Sequence, residues 1–160
     1  MTQDILDLAL TEETLGEIGL SNFAPYLMNR IMGRYNADLQ GALRETELTV
    51  VKMRALAVLA VVPGLTINEL AVYAVTEQST MSRTLEALET SGFVRRSERA
   101  SDGRVREVFL TDAGRAEFDR VWPVMWASYR RMLTGIDEAE LSQFVTTLQR
   151  ILKNVRHNEF

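Results

Sequence analysis

The 160-residue chain has no cysteine, so it forms no disulfide, holds no thiolate-bound zinc and runs no thiol-based peroxide switch. Its one histidine, His157, lies near the C-terminal end, where a frayed position is the expectation rather than a catalytic or metal-ligating one. A histidine-based hydrolase and a multi-histidine metal site are thereby excluded within one chain. There is also no phosphate-binding Gly-rich loop, and no carboxylate pair that the sequence places together, so the parts of an enzyme are missing. The expectation is a non-enzyme without cofactor or metal. The longest strongly apolar stretch, Leu56 to Leu65, contains Pro63-Gly64 and is far too short to cross a bilayer. The N-terminus lacks the basic, apolar, small-residue order of a signal peptide. A cytoplasmic location with no membrane partner follows as an expectation. No low-complexity tract or Pro/Gly-rich linker interrupts the chain, which at 46% hydrophobic residues suffices for one packed domain, taken here as 1–160.

What charge there is lies unevenly. The net charge is −4, which weakly opposes nucleic acid as a partner until its distribution is examined. Between Phe93 and Arg106, five arginines (Arg95, Arg96, Arg99, Arg104, Arg106) face only Glu98 and Asp102, a local net of +3 that leaves −7 for the rest. A short basic segment on an acidic body is a local electrostatic footprint, and arginine suits bidentate or groove-inserted contacts better than lysine. A solvated charged hairpin is the alternative.

Hydrophobic spacing supplies the elements. Phe23, Leu27, Ile31, Tyr35, Leu39 and Leu43 mark a long amphipathic helix over 22–43. The acidic stretch before Gly19 reads as a short helix or arm. Thr49 can cap a second helix that ends at Val62, before Pro63-Gly64. Thr66, Glu69, Leu65 and Leu70 together give a capping box and a hydrophobic staple, so a third, short helix runs from there to about Tyr73. Thr76 can cap a fourth helix ending near Thr90, with Gly92 as the stop. On that helix Met81, Leu85 and Leu88 form a buried stripe, and Ser79, Ser82, Arg83 and Glu86 occupy the other face. Two short helices with a brief turn between them match a helix-turn-helix that fits a major groove.

Residues 93–96 and 105–110 read as strands joined by a loop containing Asp102-Gly103, the wing of a winged helix-turn-helix. Thr111 then caps a long helix to about Leu133, with Pro123 inside it. A final helix starts at Asp137, with Glu140 closing a capping box. Its Leu141, Phe144, Val145, Leu148, Leu152 and Val155 present more apolar surface than a lone terminal helix leaves in water. Either the chain's own domain or a second subunit must cover it. The fold class is therefore mainly α with a small β-hairpin wing.

The order of these elements resembles the MarR (multiple-antibiotic-resistance regulator) family over roughly residues 21–155. The likeness is carried by Asp102-Gly103-Arg104, five residues, then Leu110-Thr111 and Gly114. It is carried also by Pro63-Gly64-Leu65-Thr66 with Glu69-Leu70-Ala71, and by Gln78-Ser79-Thr80-Met81-Ser82-Arg83 followed by Leu85. The resemblance implies an N-terminal arm (1–20), a helical dimerisation region (21–47 and 112–156) and a DNA-binding lobe (48–111). It implies a homodimer gripping a pseudo-palindromic operator, and repression relieved by a small ligand, an aromatic acid or a coenzyme A thioester.

Two-fold symmetry would place the fourth helices in successive major grooves about 34–36 Å apart, hence an inverted-repeat site on double-stranded DNA. Arg83 is the candidate base reader, with a rim phosphate contact as the alternative. Ser79, Thr80 and Ser82 anchor phosphates, touch base edges or simply solvate the helix. Arg104, near the wing tip, suits a narrow minor groove. Asp102 either orients a neighbouring arginine, as the family signature implies, or only forms the turn. Thr66, Arg96 and Arg106 complete the candidate DNA contacts. Candidate ligand-pocket residues are Phe23, Tyr26, Arg30, Tyr35, Trp122 and Trp126, although aromatics at helical spacing also serve as core. A winged-helix module that binds protein is the rival function; a concentrated positive tip argues against it.

Overall fold

Capping residues set most of the element boundaries in the computed structural model, which describes residues 13–158. Thr14 and Glu17 close a capping box on α1 (Leu15–Ile18), and a 3₁₀ turn covers Leu20–Asn22. The remainder of the expected N-terminal arm lies outside the described residues. The long amphipathic segment forms α2 (Ala24–Ala42). Thr49 caps α3 (Val50–Val61), accepting from the Lys52 N–H, and the helix stops at Val62 because Pro63 cannot continue it. Thr66 and Glu69 satisfy each other's orphan groups at the start of α4 (Ile67–Tyr73). Then follow α5 (Gln78–Thr90), β1 (Val94–Arg99), β2 (Asp102–Leu110), α6 (Asp112–Met132) and α7 (Glu138–Val155). Seven helices and one two-stranded antiparallel hairpin make up the described fold, a winged helix with flanking helices.

Two local expectations are corrected. Thr76 does not cap α5, because the helix starts at Gln78 and the cap position falls one residue later; the Thr76 N–H closes the previous helix on the Ala71 carbonyl at 3.0 Å. Glu77 takes the cap position without a side-chain bond. The hairpin also turns at residues 100–101 and not at Asp102-Gly103, which belong to β2. A type I′ turn needs positive φ at both central residues and a type II′ turn at the first, and among the described residues of the hairpin none has it. Asp102 instead accepts from the Arg104 N–H at 3.0 Å, an Asx-type turn inside the strand. Glu98 faces Arg106 while Arg99 faces Asp102, so residues 103–105 bulge out of the ladder.

Contacts divide the chain after Asp38 into two units. The first holds α1, the 3₁₀ turn and most of α2. In the second, α3 is the hub, packing on α4, α5, α6 and β2 and burying Met53, Ala55, Leu56 and Leu59. From α5 come Met81, Leu85 and Leu88, all fully buried. Each such side chain contributes about 1.5–3 kcal/mol of transfer free energy. No polar or charged residue is buried among the described ones.

The wing is tied to this core at its base. Gly64 donates to the Val108 carbonyl (3.0 Å) and Val108 to the Leu65 carbonyl (2.8 Å), adding a one-residue third strand. Gly64 has φ of 80°, and a Cβ there would meet the Phe109 ring at 3.2 Å, so backbone and space both ask for glycine. On the other side, Thr111 donates to the Gly92 carbonyl (2.6 Å) and caps α6 through the Gly114 N–H. A Cβ on Gly114 would come within 1.9 Å of the Phe93 carbonyl oxygen, so the close approach of backbone there requires glycine. Arg115 completes the joint by donating to the Ala60 carbonyl at the end of α3 (2.9 Å).

Candidate nucleic-acid interface

The buried stripe of α5 fixes which residues the helix presents outward. With Met81, Leu85 and Leu88 turned into the core, Ser79, Thr80 and Arg83 are exposed and Ser82 is half-buried. Arg83 pairs with no carboxylate among the described residues, so its fork of donors is available to a partner. The outward face thus carries hydroxyls, one planar cation and the exposed carboxylate of Glu86 on a helix narrow enough for a major groove.

Beside it, the five arginines of the basic segment sort into two groups. Arg95, Arg104 and Arg106 are exposed. Arg95 lies over the Phe109 ring, 4.6 Å from its centroid, and the ring supports the cation without neutralising it. Arg104 sits in the bulge, where no cross-strand residue faces it, and its main chain is held by Asp102. The other two arginines are used internally. Arg96 turns back to Glu89 in the last turn of α5, Nε to Oε2 3.3 Å. Arg99 donates to Glu107 across the hairpin, and this hydrogen bond holds its guanidinium protonated beyond its ordinary range, with Glu69 and Asp102 adding to the effect.

The structure therefore gathers Ser79, Thr80, Ser82, Arg83, Arg104 and Arg106 on outward parts of one lobe, and it does not present Arg96 or Thr66 with them. The Thr66 hydroxyl accepts from the Glu69 N–H (3.3 Å) and donates to the Glu69 carboxylate (2.8 Å), so both of its capacities are engaged in the cap. The same bonds from Thr66, backbone first, hold the Glu69 carboxyl below its usual range. Asp102 accepts from the Arg104 main chain, and its charge also acts on Arg99, which faces it across the hairpin. Arg95 is an outward cation that sequence reasoning did not select. The signal was available: alternation along β1 from buried Val94 sends Arg95 out and Arg96 in.

Of the candidate ligand residues, Phe23, Tyr26, Arg30 and Tyr35 stand on or at the start of α2, where Arg30 donates to the Tyr26 hydroxyl at 3.3 Å. Trp122 and Trp126 stand on α6 in a ladder of four tilted rings, Phe118, Trp122, Trp126 and Tyr129, with successive centroids 5.8, 5.8 and 5.3 Å apart. Both tryptophans are half-exposed. Among the described residues no cluster of His, Asp or Glu could hold a metal ion, and no helix is long and apolar enough to cross a membrane.

Comparison with known proteins agrees with this geometry. A family model described as MarR family matches residues 46–105, which spans α3, the helix-turn-helix and most of the wing. A MarR-family transcriptional regulator from Silicibacter pomeroyi is 49% identical in sequence. The match covers 92% of this chain and all of that one, with a TM-score of 0.87. The transcriptional repressor IacR of Pseudomonas putida is 28% identical over 142 residues, 89% of this chain and 83% of that protein. CouR, a transcriptional repressor solved on a 23-mer DNA duplex, is 25% identical over 88% of this chain and 99% of its own, with a TM-score of 0.71. CouR from Rhodococcus jostii RHA1, solved with p-coumaroyl-CoA, is 26% identical over 83% of this chain and 94% of that one, with a TM-score of 0.74. A helix-turn-helix closed by caps, a wing locked at Gly64 and Gly114, and near-complete overlap with a regulator at 49% identity lead to one assignment: the chain belongs to the MarR family of transcriptional regulators, and it is not an enzyme.

Proposed function

We propose that the protein is a cytoplasmic, homodimeric repressor that binds an inverted-repeat operator and leaves it when a small aromatic effector binds. One observation carries the DNA part of this reading: the polar face of α5 and arginines 95, 104 and 106, which form no ion pair among the described residues, are exposed on the same lobe. Each α5 enters a major groove, where Arg83 takes guanine O6 and N7 and the serine and threonine hydroxyls meet phosphates and base edges. Arg104, carried outward by the bulge, enters the flanking minor groove. That CouR was solved on a DNA duplex, and that IacR is a repressor, support the reading. The effector reading rests on the half-exposed Trp122 and Trp126, whose faces suit stacking by a planar ring; Phe23, Tyr26, Arg30 and Tyr35 are separate candidates within the first unit. The p-coumaroyl-CoA complex of CouR supports that ligand class. Homodimerisation rests on α7, whose apolar side chains are uncovered in one chain.

The test is a titration of wild type and Arg83→Ala against a duplex that the wild type enriches from a randomised inverted-repeat library, and against a scrambled duplex. Arg83→Ala is expected to cost about 1–3 kcal/mol on the enriched duplex and much less on the scrambled one. The wild-type log K should fall with log salt at about −0.9 per phosphate neutralised. Equal losses on both duplexes would make Arg83 a phosphate clamp, and no enrichment at all would favour a protein-binding winged helix. Quenching of tryptophan fluorescence by p-coumaroyl-CoA or salicylate, with release of the duplex, tests the effector.

A further inference from the structure

Arg96 stands two residues after buried Val94 on β1, and its side chain is only 18% exposed. Its Nε lies 3.3 Å from Oε2 of Glu89, yet neither Nε nor Nη2 has an aligned hydrogen-bond partner. The guanidinium is therefore held to α5 by charge attraction and not by directed hydrogen bonds, and a half-buried cation with one counter-charge depends on that charge. Glu89 is 45% exposed, so the pair contributes little to global stability. What it does fix is local: Glu89 is in the last turn of α5, and Arg96 belongs to the strand that leads to the wing tip. The chain between them is residues 91–93, with Gly92 at φ 74°.

We propose that the Glu89–Arg96 pair is the strut that sets the angle between α5 and the wing, which makes both positioning residues for DNA binding; this rests on the DNA-binding reading above. Arg83 and Arg104 engage one duplex together only if helix and wing reach it in a fixed relation, and the second contact gains its strength from being held in place by the first. Arg96 thus acts on DNA through Arg95 and the bulged Arg104 of the same hairpin, not by touching phosphate.

The sign of one substitution separates the strut from simple electrostatics. Glu89 is an acid on the helix that approaches DNA, so removing its charge would tighten binding if charge alone mattered. Under the proposal Glu89→Gln weakens binding to the enriched duplex about fivefold to tenfold. In that background Arg104→Ala loses most of the effect it has in the wild type, a non-additivity that a double-mutant cycle reads directly. Exchanging the charges, Glu89→Arg with Arg96→Glu, restores binding to within about twofold while Glu89→Arg alone binds more weakly than the wild type, a pattern that a phosphate contact by the added arginine could not give. Unchanged thermal melting of each variant separates positioning from folding. The proposal is overturned if Glu89→Gln binds equally or more tightly, if Arg104→Ala costs the same in both backgrounds, or if the charge exchange binds worse than either single variant. If the wild type enriches no duplex, the DNA-binding reading falls first, and the strut with it.

Discussion

The winged lobe closes its own core, and the last helix closes nothing. Between Leu48 and Val108 the chain buries residues from every helix and from both strands, whereas α7 contributes no buried residue although Phe144, Val145, Leu148, Ile151, Leu152 and Val155 line it. Both segments are equally well capped: the box of Asp137 and Glu140 on α7 repeats that of Thr66 and Glu69 on α4. Local signals therefore say where a helix starts and not what it packs against. The lobe has the partner residues for its stripe in the same chain; the stripe of α7 is left exposed, and on it the proposed dimer rests. Leu152→Glu is the hardest way to break this contrast. Leu152 is 60% exposed in one chain, so the substitution leaves the lobe intact, but a charge buried in an apolar interface costs several kcal/mol. The expected result in analytical ultracentrifugation is a wild-type dimer and a variant monomer at micromolar concentration, with the melting of the lobe little changed. A variant that still dimerises would mean that α7 is not the seam.

Gly114→Ala attacks the other side of the contrast. Its Cβ has nowhere to go but into the Phe93 carbonyl, and neither the capped start of α6 nor the wing base can yield cheaply. A loss of about 2–3 kcal/mol is expected in urea unfolding, with dimer assembly retained in the surviving folded fraction. An unperturbed midpoint would show that the joint between α6 and the wing is looser than its geometry.

Legibility in the sequence follows the same division. Helix starts at Thr49, Thr66, Thr111 and Asp137 could be read because a cap is a local event among four residues. The outward face of α5 could be read because Met81, Leu85 and Leu88 fix it by periodicity alone. The loop is shorter than the sequence suggests, because Asp102-Gly103 has turn composition yet belongs to β2, while residues 100–101, where the chain turns, have none, and only the register across two strands reveals the bulge. Arg96 and Arg99 could not be told from Arg104 by composition. Their carboxylate partners, Glu89 and Glu107, lie seven and eight residues away in sequence and become neighbours only when β1 packs back on α5 and the hairpin closes. The resemblance supplied the wing signature, and the structure supplies the division of labour within it.

Val75 sharpens the comparison from inside the lobe. It has φ of 53°, the one positive φ outside glycine among the described residues, and it is 79% exposed, so its β-branched side chain is strained without burying anything in return. It follows the end of α4, at the turn of the helix-turn-helix. Val75→Gly removes the left-handed strain and adds entropy to the unfolded chain, effects that partly offset each other. The net expectation is a gain of about 0.5–1 kcal/mol in lobe stability, read as a higher denaturation midpoint. A loss of stability would mean that Val75 makes an apolar contact the exposure does not show.

The smallest effect is a pH dependence that belongs to the lobe alone. Hydrogen bonds from Thr66, first from its backbone N–H and then from its hydroxyl, lower the Glu69 pKa from the ordinary value of 4.5, and Arg99 reinforces this. A carboxyl whose folded pKa is depressed stabilises the fold fully at pH above its unfolded pKa, and that stabilisation is lost as pH falls through the folded pKa. The window is therefore acidic, below about pH 4.5, and neutral pH should show no dependence from this group. Glu69→Gln retains an acceptor for the Thr66 N–H but lacks the charge, so its deficit against wild type should be a few tenths of a kcal/mol at pH 7. That deficit should shrink toward zero on acidification, because protonation of Glu69 removes the charge that distinguishes wild type from the variant, and with it the stronger hydrogen bond. Paired urea titrations of wild type and Glu69→Gln at pH 7 and pH 3.5 measure it. A deficit that stays constant with pH would assign the cap's worth to hydrogen-bond geometry and not to the carboxylate charge.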